Sequence, residues 1–346
     1  MRPFVSVIIP CRDEAPFIDR CLDSVLHSGY PPERLEVIVA DGMSRDGTRQ
    51  RVDHYASLDP RVRRIENPGR TTPEALNRAI AAAQGDFILR LDAHAAIAPD
   101  YIARAVKYLE TWGTDCVGGS MRTLVPRPAL FAAAMQTALS HPFGVGNSHF
   151  RIAREAKLPR WVDAVFGACW RKEVFERLGG FDERLKRSQD IEFSSRLRRA
   201  GGRILLAPDM KIDYYAPATF GGFLRQSWTN GIWAILPFAC SRFPCGQGMP
   251  VRWRHLAPLG LVLGLAASVL AGPWMGVGAF AAIALYAAAN LAASAAAAWR
   301  ERNPRLGFLM PCVFAGLHLA YGTGSVWACA MLAFGLNSRF AKKVVE

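Results

Sequence analysis

Phe4-Val5-Ser6-Val7-Ile8-Ile9-Pro10-Cys11-Arg12-Asp13-Glu14 is the stretch on which the fold turns. A short apolar run, stopped by a proline and followed at once by charge, reads as a buried strand opening into a polar loop. The same arrangement returns three times. Leu35 to Ala40 is apolar and runs into Asp41-Gly42, Val62 to Ile65 is shorter, and Phe87 to Leu91 ends in Asp92-Ala93-His94. The intervening stretches have helical spacing. Ala15 to His27 places Phe17, Ile18, Cys21, Leu22, Val25 and Leu26 on one side, another helix starts near Asp46, and Pro73 to Gln84 and Pro99 to Thr111 follow. Strands alternating with helices predict an α/β domain with a mostly parallel sheet. Ligands of such sheets bind beyond the carboxyl ends of the strands. Arg12, Asp13, Glu14, Asp41, Asp92 and His94 all fall at those ends.

Further along, the alternation fades from about Gly118 to Trp161, where Leu130 to Ala138 is apolar between basic flanks. Ala164 to Cys169 reads as a buried strand. Helices are expected at Arg171 to Leu178 and Gln189 to Ala200, and separate strands at Arg203 to Leu206 and Lys211 to Tyr215.

Composition adds a second theme. Among 346 residues, Lys and Arg number 42 against 29 acids, a net +13, yet 51% of the chain is hydrophobic and only 21% is charged. Disordered chains are poor in apolar residues, and a soluble nucleic-acid binder would be more polar. A membrane partner fits. No acid occurs between Asp213 and Glu301, an interval that carries Arg225, Arg242, Arg252, Arg254 and Arg300. Leu256 to Trp299 and Leu306 to Ser338 hold no charge, and a span needs about 20 apolar residues. The first run fits two spans broken near Gly272-Pro273. The second fits one long span, or a re-entrant pair at Gly322-Thr323-Gly324.

The expected organisation is a catalytic domain over 1–218, an amphipathic membrane-interface segment over 219–255, and two to four transmembrane helices, best three, over 256–338. With no long apolar leader at Met1-Arg2-Pro3, the catalytic domain is expected in the cytoplasm. The basic connector from Arg300 to Arg305 then stays inside by the positive-inside rule. A third full span carries Arg339, Lys342 and Lys343 outside, against that rule. The eight cysteines form no C-x-x-C pair and read as free thiols.

Several motifs, taken in order, resemble family 2 glycosyltransferases of the GT-A fold. They are Val7 to Glu14, Asp41 to Thr48, Arg90 to His94, Pro142 to Asn147, Phe181-Asp182-Glu183, Gln189 to Phe193, and Gln226 to Trp233. The branch resembled includes the succinoglycan glucosyltransferase of exopolysaccharide synthesis, and the likeness spans nearly the whole chain. It implies a Rossmann-like catalytic domain followed by an interfacial helix and membrane helices.

The residues themselves permit the corresponding chemistry. Asp41 at a strand end can accept from a nucleobase N–H or a ribose hydroxyl, or can hold the turn and cap the next helix. Ser44 and Asp46 are expected as caps. The resemblance gives Asp41 the donor nucleotide, with the segment holding Pro10, Arg12 and Glu14, and puts Arg70 and Asn77 on the donor side, where a surface charge and a helix polar face are the alternatives. Asp92-Ala93-His94 takes the place of the family's D-x-D. Extended alternation sets Asp92 and His94 on one side, where they could share a divalent metal with a diphosphate. Imidazole suits Mn2+ better than Mg2+, and a supporting role for His94 stays open. Asp190, near a helix start, can remove an acceptor hydroxyl's proton or complement the helix dipole, with Glu192 as a supporting or acceptor-orienting residue. Gln226, Asn230 and Trp233 recur at helical spacing on an aromatic-rich stretch, facing either lipid or the acceptor and diphosphate.

The implied activity is an inverting transfer of a hexose, glucose in β-linkage, from a UDP-sugar to a polyprenyl-diphosphate-linked saccharide. The enzyme would be a multi-pass protein of the inner (cytoplasmic) membrane, embedded in the lipid bilayer, with no nucleic-acid partner. The alternatives are a polyprenyl-phosphate hexosyltransferase and an inactive scaffold in a polysaccharide export complex.

Overall fold

The structure, a computed structural model, describes residues 2–126, 129–153, 156–237, 253–270 and 276–334. Its contacts divide the chain into two units, 1–122 with 149–215 and 123–148 with 216–346.

In the first unit, β1 (Val5–Cys11) lies between the parallel strands β2 (Leu35–Asp41) and β4 (Phe87–Arg90), and β3 (Val62–Glu66) flanks β2. Every residue of β1 except Pro10 is buried, as expected of a strand covered on both faces. Pairing with β4 ends at Ile8, so the missing N–H of Pro10 lies beyond that ladder, where proline is tolerated. The register sets Cys11 beside Asp41 and Asp41 beside Glu66, which levels the carboxyl ends. The connecting helices are α1 (Ile18–Leu26), α2 (Thr48–Leu58), α3 (Thr72–Ala82) and α4 (Tyr101–Thr111). On α1, Ile18, Cys21, Leu22 and Val25 are buried, the i, i+3, i+4, i+7 stripe of a helix against a core.

Beyond β4 the sheet becomes mixed. Its order is β3-β2-β1-β4-β8-β6-β9-β5, with β7 also on β9. The added strands are β5 (Ala95–Ile97), β6 (Cys116–Leu124), β7 (Arg160–Trp161), β8 (Phe166–Arg171) and β9 (Ile204–Tyr215). The expected α/β class with its mostly parallel half is borne out.

Two details differ from expectation. β6 occupies sequence read as irregular, because Gly118-Gly119 looks like a break. Both glycines are needed for close approach. A Cβ on Gly118 would lie 2.6 Å from the Val165 side chain, and one on Gly119 would strike the Met210 carbonyl. The two expected C-terminal strands are one, running through Pro208. β7 pairs with Leu205 and Leu206 and β5 with Ile212 to Tyr214, so Pro208 falls between the two pairings.

After α7 (His149–Ile152) and α8 (Lys172–Leu178), α9 (Gln189–Arg199) is anchored by its buried Phe193. That ring packs 4.9 Å from Phe175, 4.8 Å from Phe181 and 5.9 Å from Trp170. Aromatic pairs of this kind add roughly 0.5–1.5 kcal/mol each beyond area burial.

The second unit holds α5 (Leu130–Ala138), α6 (Pro142–Val145), α10 (Phe220–Ile235), α11 (Trp253–Leu270), α12 (Gly276–Arg300) and α13 (Leu306–Ala333). α5 puts Ala134, Met135 and Ala138 into one apolar cluster with Phe223, Met310, Val313 and Phe314. α12 over Phe280–Arg300 and α13 are long and apolar enough to cross a membrane, and only 17% and 33% of their most apolar windows are buried inside the protein. A soluble core helix would be mostly covered. Tyr286 and His318 are hydrogen-bonded at 3.0 Å, the other His318 nitrogen meets the Phe143 carbonyl at 2.8 Å, and the Asn290 amide donates to the Pro311 carbonyl at 3.0 Å.

α13 is continuous through Gly322-Thr323-Gly324, so the re-entrant pair is not formed. The Thr323 hydroxyl donates back to the Leu319 carbonyl at 2.7 Å within the helix. The expected break at Gly272-Pro273, together with Arg242, Arg252, Arg339, Lys342 and Lys343, lies outside the described residues.

The amphipathic stretch is also more enclosed than a lipid-facing helix. α10 buries Phe223, Ser227, Gly231, Ile232 and Trp233. Its backbone meets α13 at two glycines. A Cβ on Gly231 would strike the Tyr321 carbonyl, and one on Gly324 the Trp228 carbonyl. The Ser325 hydroxyl donates to the Gly231 carbonyl at 3.0 Å. Small residues that let helix backbones touch are the membrane pattern for tight association. Gly231→Val is expected to destabilise the protein by about 1–3 kcal/mol through overpacking, read as a lower thermal midpoint in detergent. An unchanged midpoint would show that the seam opens freely.

Candidate active site

The loops at the carboxyl ends of β1 and β2 are fastened to each other. The Asp13 N–H donates to the Ser44 hydroxyl at 2.9 Å, the Glu14 N–H to the Thr48 hydroxyl at 2.9 Å, and the Ala15 N–H to the Asp46 carboxylate at 3.0 Å. In return the Arg45 N–H donates to the Asp13 carboxylate at 2.8 Å. Asp46 also accepts from the Thr48 N–H at 3.0 Å, but the N-cap of α2 is Gly47, without a side-chain cap, and Ser44 binds across to the neighbouring loop. Asp13, Met43 and Arg70 adopt φ of 55°, 62° and 59° in the loops after β1, β2 and β3, and Ser188 adopts 61° directly before α9. Non-glycine residues held this way cluster at functional sites.

Asp41 is fully buried at the end of β2. Its carboxylate accepts from the Ser44 N–H at 3.3 Å and pairs with Arg49 at 3.3 Å. Arg49 also reaches Glu66 at 2.7 Å. Arg12 is near the surface, where its stem lies 3.1 Å from the position a Gly42 Cβ would take. Exposed Arg70 sits on the turn after β3 and donates its N–H to the Asn67 carbonyl at 3.1 Å.

Past β4, Asp92 meets Arg90 through one oxygen, at 3.1 Å to Nε and 3.0 Å to Nη2. Burial pushes the Asp92 carboxyl up, but the charges of Arg90 and His94 outweigh it and the net shift is down. The Nδ1 of His94 lies 2.7 Å from the Glu14 carboxylate. Burial lowers the His94 pKa, and the Glu14 bond more than restores it, for a net rise. The imidazole also packs edge-on against Tyr214, ring centres 5.2 Å apart.

Asp190 lies in the first turn of α9. Its charge acts on both Arg90 and Arg151. Arg90 bonds Asp92, and the charge of Asp190 favours its protonated form. Glu192 is buried and held through both oxygens by Arg196, each at 2.9 Å. Asn77 donates to the Phe181 carbonyl and the Glu183 carboxylate, each at 2.9 Å, and accepts from the Phe181 N–H at 2.8 Å. It thus ties α3 to the loop before α9. Gln226 and Trp233 lie on α10 in the second unit, Gln226 half-buried and Trp233 buried.

Residues 6–179 match the family model described as Glycosyl transferase family 2. The chain is a family 2 glycosyltransferase. It is similar to "Succinoglycan biosynthesis protein ExoA" of Rhizobium meliloti (strain 1021), 31% identical over 290 residues that cover 79% of this chain and 86% of that protein. It is also similar to the "Dolichyl N-acetyl-alpha-D-glucosaminyl phosphate 3-beta-D-2,3-diacetamido-2,3-dideoxy-beta-D-glucuronosyltransferase" of Methanococcus voltae. There the identity is 26% over 238 residues, covering 66% of this chain and 72% of that one. Among solved structures it resembles the mannosyltransferase PcManGT from Pyrobaculum calidifontis in complex with GDP-Man and Mn2+. The identity is 27% and the TM-score 0.59, with 94% of this chain and 88% of that chain covered. The GT-A fold and a transferase activity follow.

For a family 2 glycosyltransferase, the residues at the end of β4 fit a divalent ion shared with a substrate. Asp92 keeps one oxygen outside its Arg90 contact, and His94 keeps Nε2, because Nδ1 is held by Glu14. A carboxylate on the far nitrogen of a histidine is the usual way to orient it as a ligand. No group of three protein ligands occurs among the described residues, so diphosphate oxygens would have to complete the shell.

Sequence reasoning missed Arg90 as a site residue, although its place two residues before Asp92 on extended chain signals a shared side. The Glu14–His94 and Asp41–Arg49 contacts left no local signal.

Proposed function

We propose that this protein transfers a hexose with inversion, glucose in β-linkage, from a UDP-sugar to a polyprenyl-diphosphate-linked saccharide of exopolysaccharide synthesis. The observation that carries this reading is the largely buried Arg90–Asp92 ion pair at the end of β4, 3.0 Å long, beside the Glu14–His94 bond, with the charge of Asp190 felt at the same Arg90. Asp41, with Pro10, Arg12, Glu14 and Arg70, holds the nucleotide. Asp92 and His94 face its diphosphate. A bound Mn2+ or Mg2+ would supply Lewis-acid stabilisation of the charge that develops there. Asp190 removes the proton of the acceptor hydroxyl as its oxygen attacks the anomeric carbon. Asn77 and Glu192 act at one remove, by fixing the approach to α9 and its first turn. Gln226 and Trp233 serve the acceptor side.

In this reading the catalytic unit stays in the cytoplasm. α12 and α13 cross the inner membrane, with the basic connector Arg300 to Arg305 inside. The similarity to the relative named for a dolichyl-linked phosphate acceptor supports a lipid-linked substrate. One observation favours a second donor, GDP-mannose, which the similar solved structure binds.

The test is incubation of the purified protein with UDP-sugars and GDP-mannose, lipid-linked acceptors and Mn2+ or Mg2+, with product mass as readout. Transfer of glucose from UDP-glucose is expected. Transfer from GDP-mannose alone would replace the donor assignment, and no transfer from any donor would sink the reading.

A further inference from the structure

Arg151, on α7, carries a charge that the fold leaves incomplete. Its guanidinium carbon lies 5.8 Å from the Phe150 ring centre and 5.7 Å from that of Tyr214. The Nη1 atom is sealed from solvent and has no hydrogen-bond partner among the described residues. Among the described residues Arg151 makes no salt bridge, although the charge of Asp190 reaches it. Arginine stays protonated in proteins and has five N–H groups to satisfy. A shielded N–H without an acceptor is unfavourable, so such positions call for a bound group. Two aromatic rings hold the guanidinium in place. Tyr214 also contacts His94, which places Arg151 one ring away from the Asp92–His94 corner and within the field of Asp190.

We propose that Arg151 receives a phosphate oxygen of a substrate, through Nη1, at the Tyr214 ring that also packs against His94. This rests on the transfer reading above and assigns it a new residue. As the acceptor oxygen bonds to the anomeric carbon, the bond from that carbon to the donor phosphate oxygen breaks. The electron pair leaves with the nucleoside diphosphate and the acceptor's proton goes to Asp190. The phosphate that Arg151 meets belongs either to that departing diphosphate or to the lipid diphosphate of the acceptor. Both present the same oxyanion to a planar, charged donor.

The experiment uses the full chain in detergent, with Arg151→Gln and Arg151→Met. The Met variant keeps an apolar stem against the rings and removes every N–H, so it separates hydrogen bonding from packing. UDP, GDP and micellar polyprenyl diphosphate are titrated separately by calorimetry, with Mn2+ present. Loss of a charged hydrogen bond is expected to weaken one of these ligands about 10- to 100-fold in both variants. Weaker nucleoside diphosphate binding identifies the donor as the source, and weaker lipid diphosphate binding identifies the acceptor. Unchanged affinities in both variants overturn the proposal. A parent protein that binds these phosphates but transfers no sugar would sink the transfer reading and leave Arg151 assigned. A parent that binds none of them overturns both.

Discussion

Asp190→Asn is expected to lower sugar transfer by about 10²–10⁴-fold, the range of a positioned general base, while UDP still binds. Asn has nearly the same shape and cannot accept the proton. α9 should keep its place, because Phe193 and the surrounding rings anchor it. Losing one carboxylate near the helix start costs only about 0.3–1 kcal/mol. The thermal midpoint in detergent should therefore hardly move. Steady-state turnover, calorimetric UDP affinity and a melting curve on the same preparation check all three expectations. Turnover equal to the parent's would remove Asp190 from the chemistry.

Asp92→Asn is expected to abolish the gain in donor affinity that Mn2+ brings, by at least about two orders of magnitude. Weakening the support of a metal ligand already costs roughly 10–100-fold, and losing the ligand should cost more. The choice of Asn over Ala follows from Arg90. That guanidinium is largely buried, its side chain 14% exposed, and bonded to Asp92. Truncation to Ala leaves a buried cation unpaired, which is worth about 3–5 kcal/mol, and would confound binding with unfolding. Asn still accepts from Arg90 through its one oxygen, and its amide NH2, which cannot ligate a metal, replaces the second carboxylate oxygen. Calorimetric titration of UDP with and without Mn2+ decides it. If the metal enhances binding equally in parent and variant, Asp92 is not a ligand.

How much of this was legible depended on whether the signal was local. The parallel half of the sheet was, because β1 to β4 are short apolar runs separated by amphipathic helices. Asp41 and Asp92 fell at strand ends for the same reason, and Asp190 at a helix start. Where tertiary demands overrode local preference, reading failed. Gly118 and Gly119 sit in β6 because Val165 and Met210 crowd them, and glycine pairs are poor strand signals. Pro208 divided a strand that the chain does not divide. Arg151 and the Glu14–His94 bond acquire meaning only when loops distant in sequence converge, whereas Arg90 carried a local signal two residues before Asp92. α10 read as amphipathic, and part of its apolar side packs against α13.

The grouping of 123–148 with the C-terminal helices has a consequence for how the molecule is made. α5 leaves the ribosome well before α13, yet Ala134, Met135 and Ala138 pack with Met310, Val313 and Phe314. At about 5–20 residues per second, the intervening chain takes on the order of ten seconds to synthesise. For that interval the apolar face of α5 lacks Met310, Val313 and Phe314, while β7, β8 and β9 of the first unit are translated within it. The apolar cluster of the second unit is therefore completed only once α13 has been made. Premature termination before Leu306 would leave α5 only the earlier-made members of that cluster, such as Phe223 and Ala297, a natural mark for quality-control proteases.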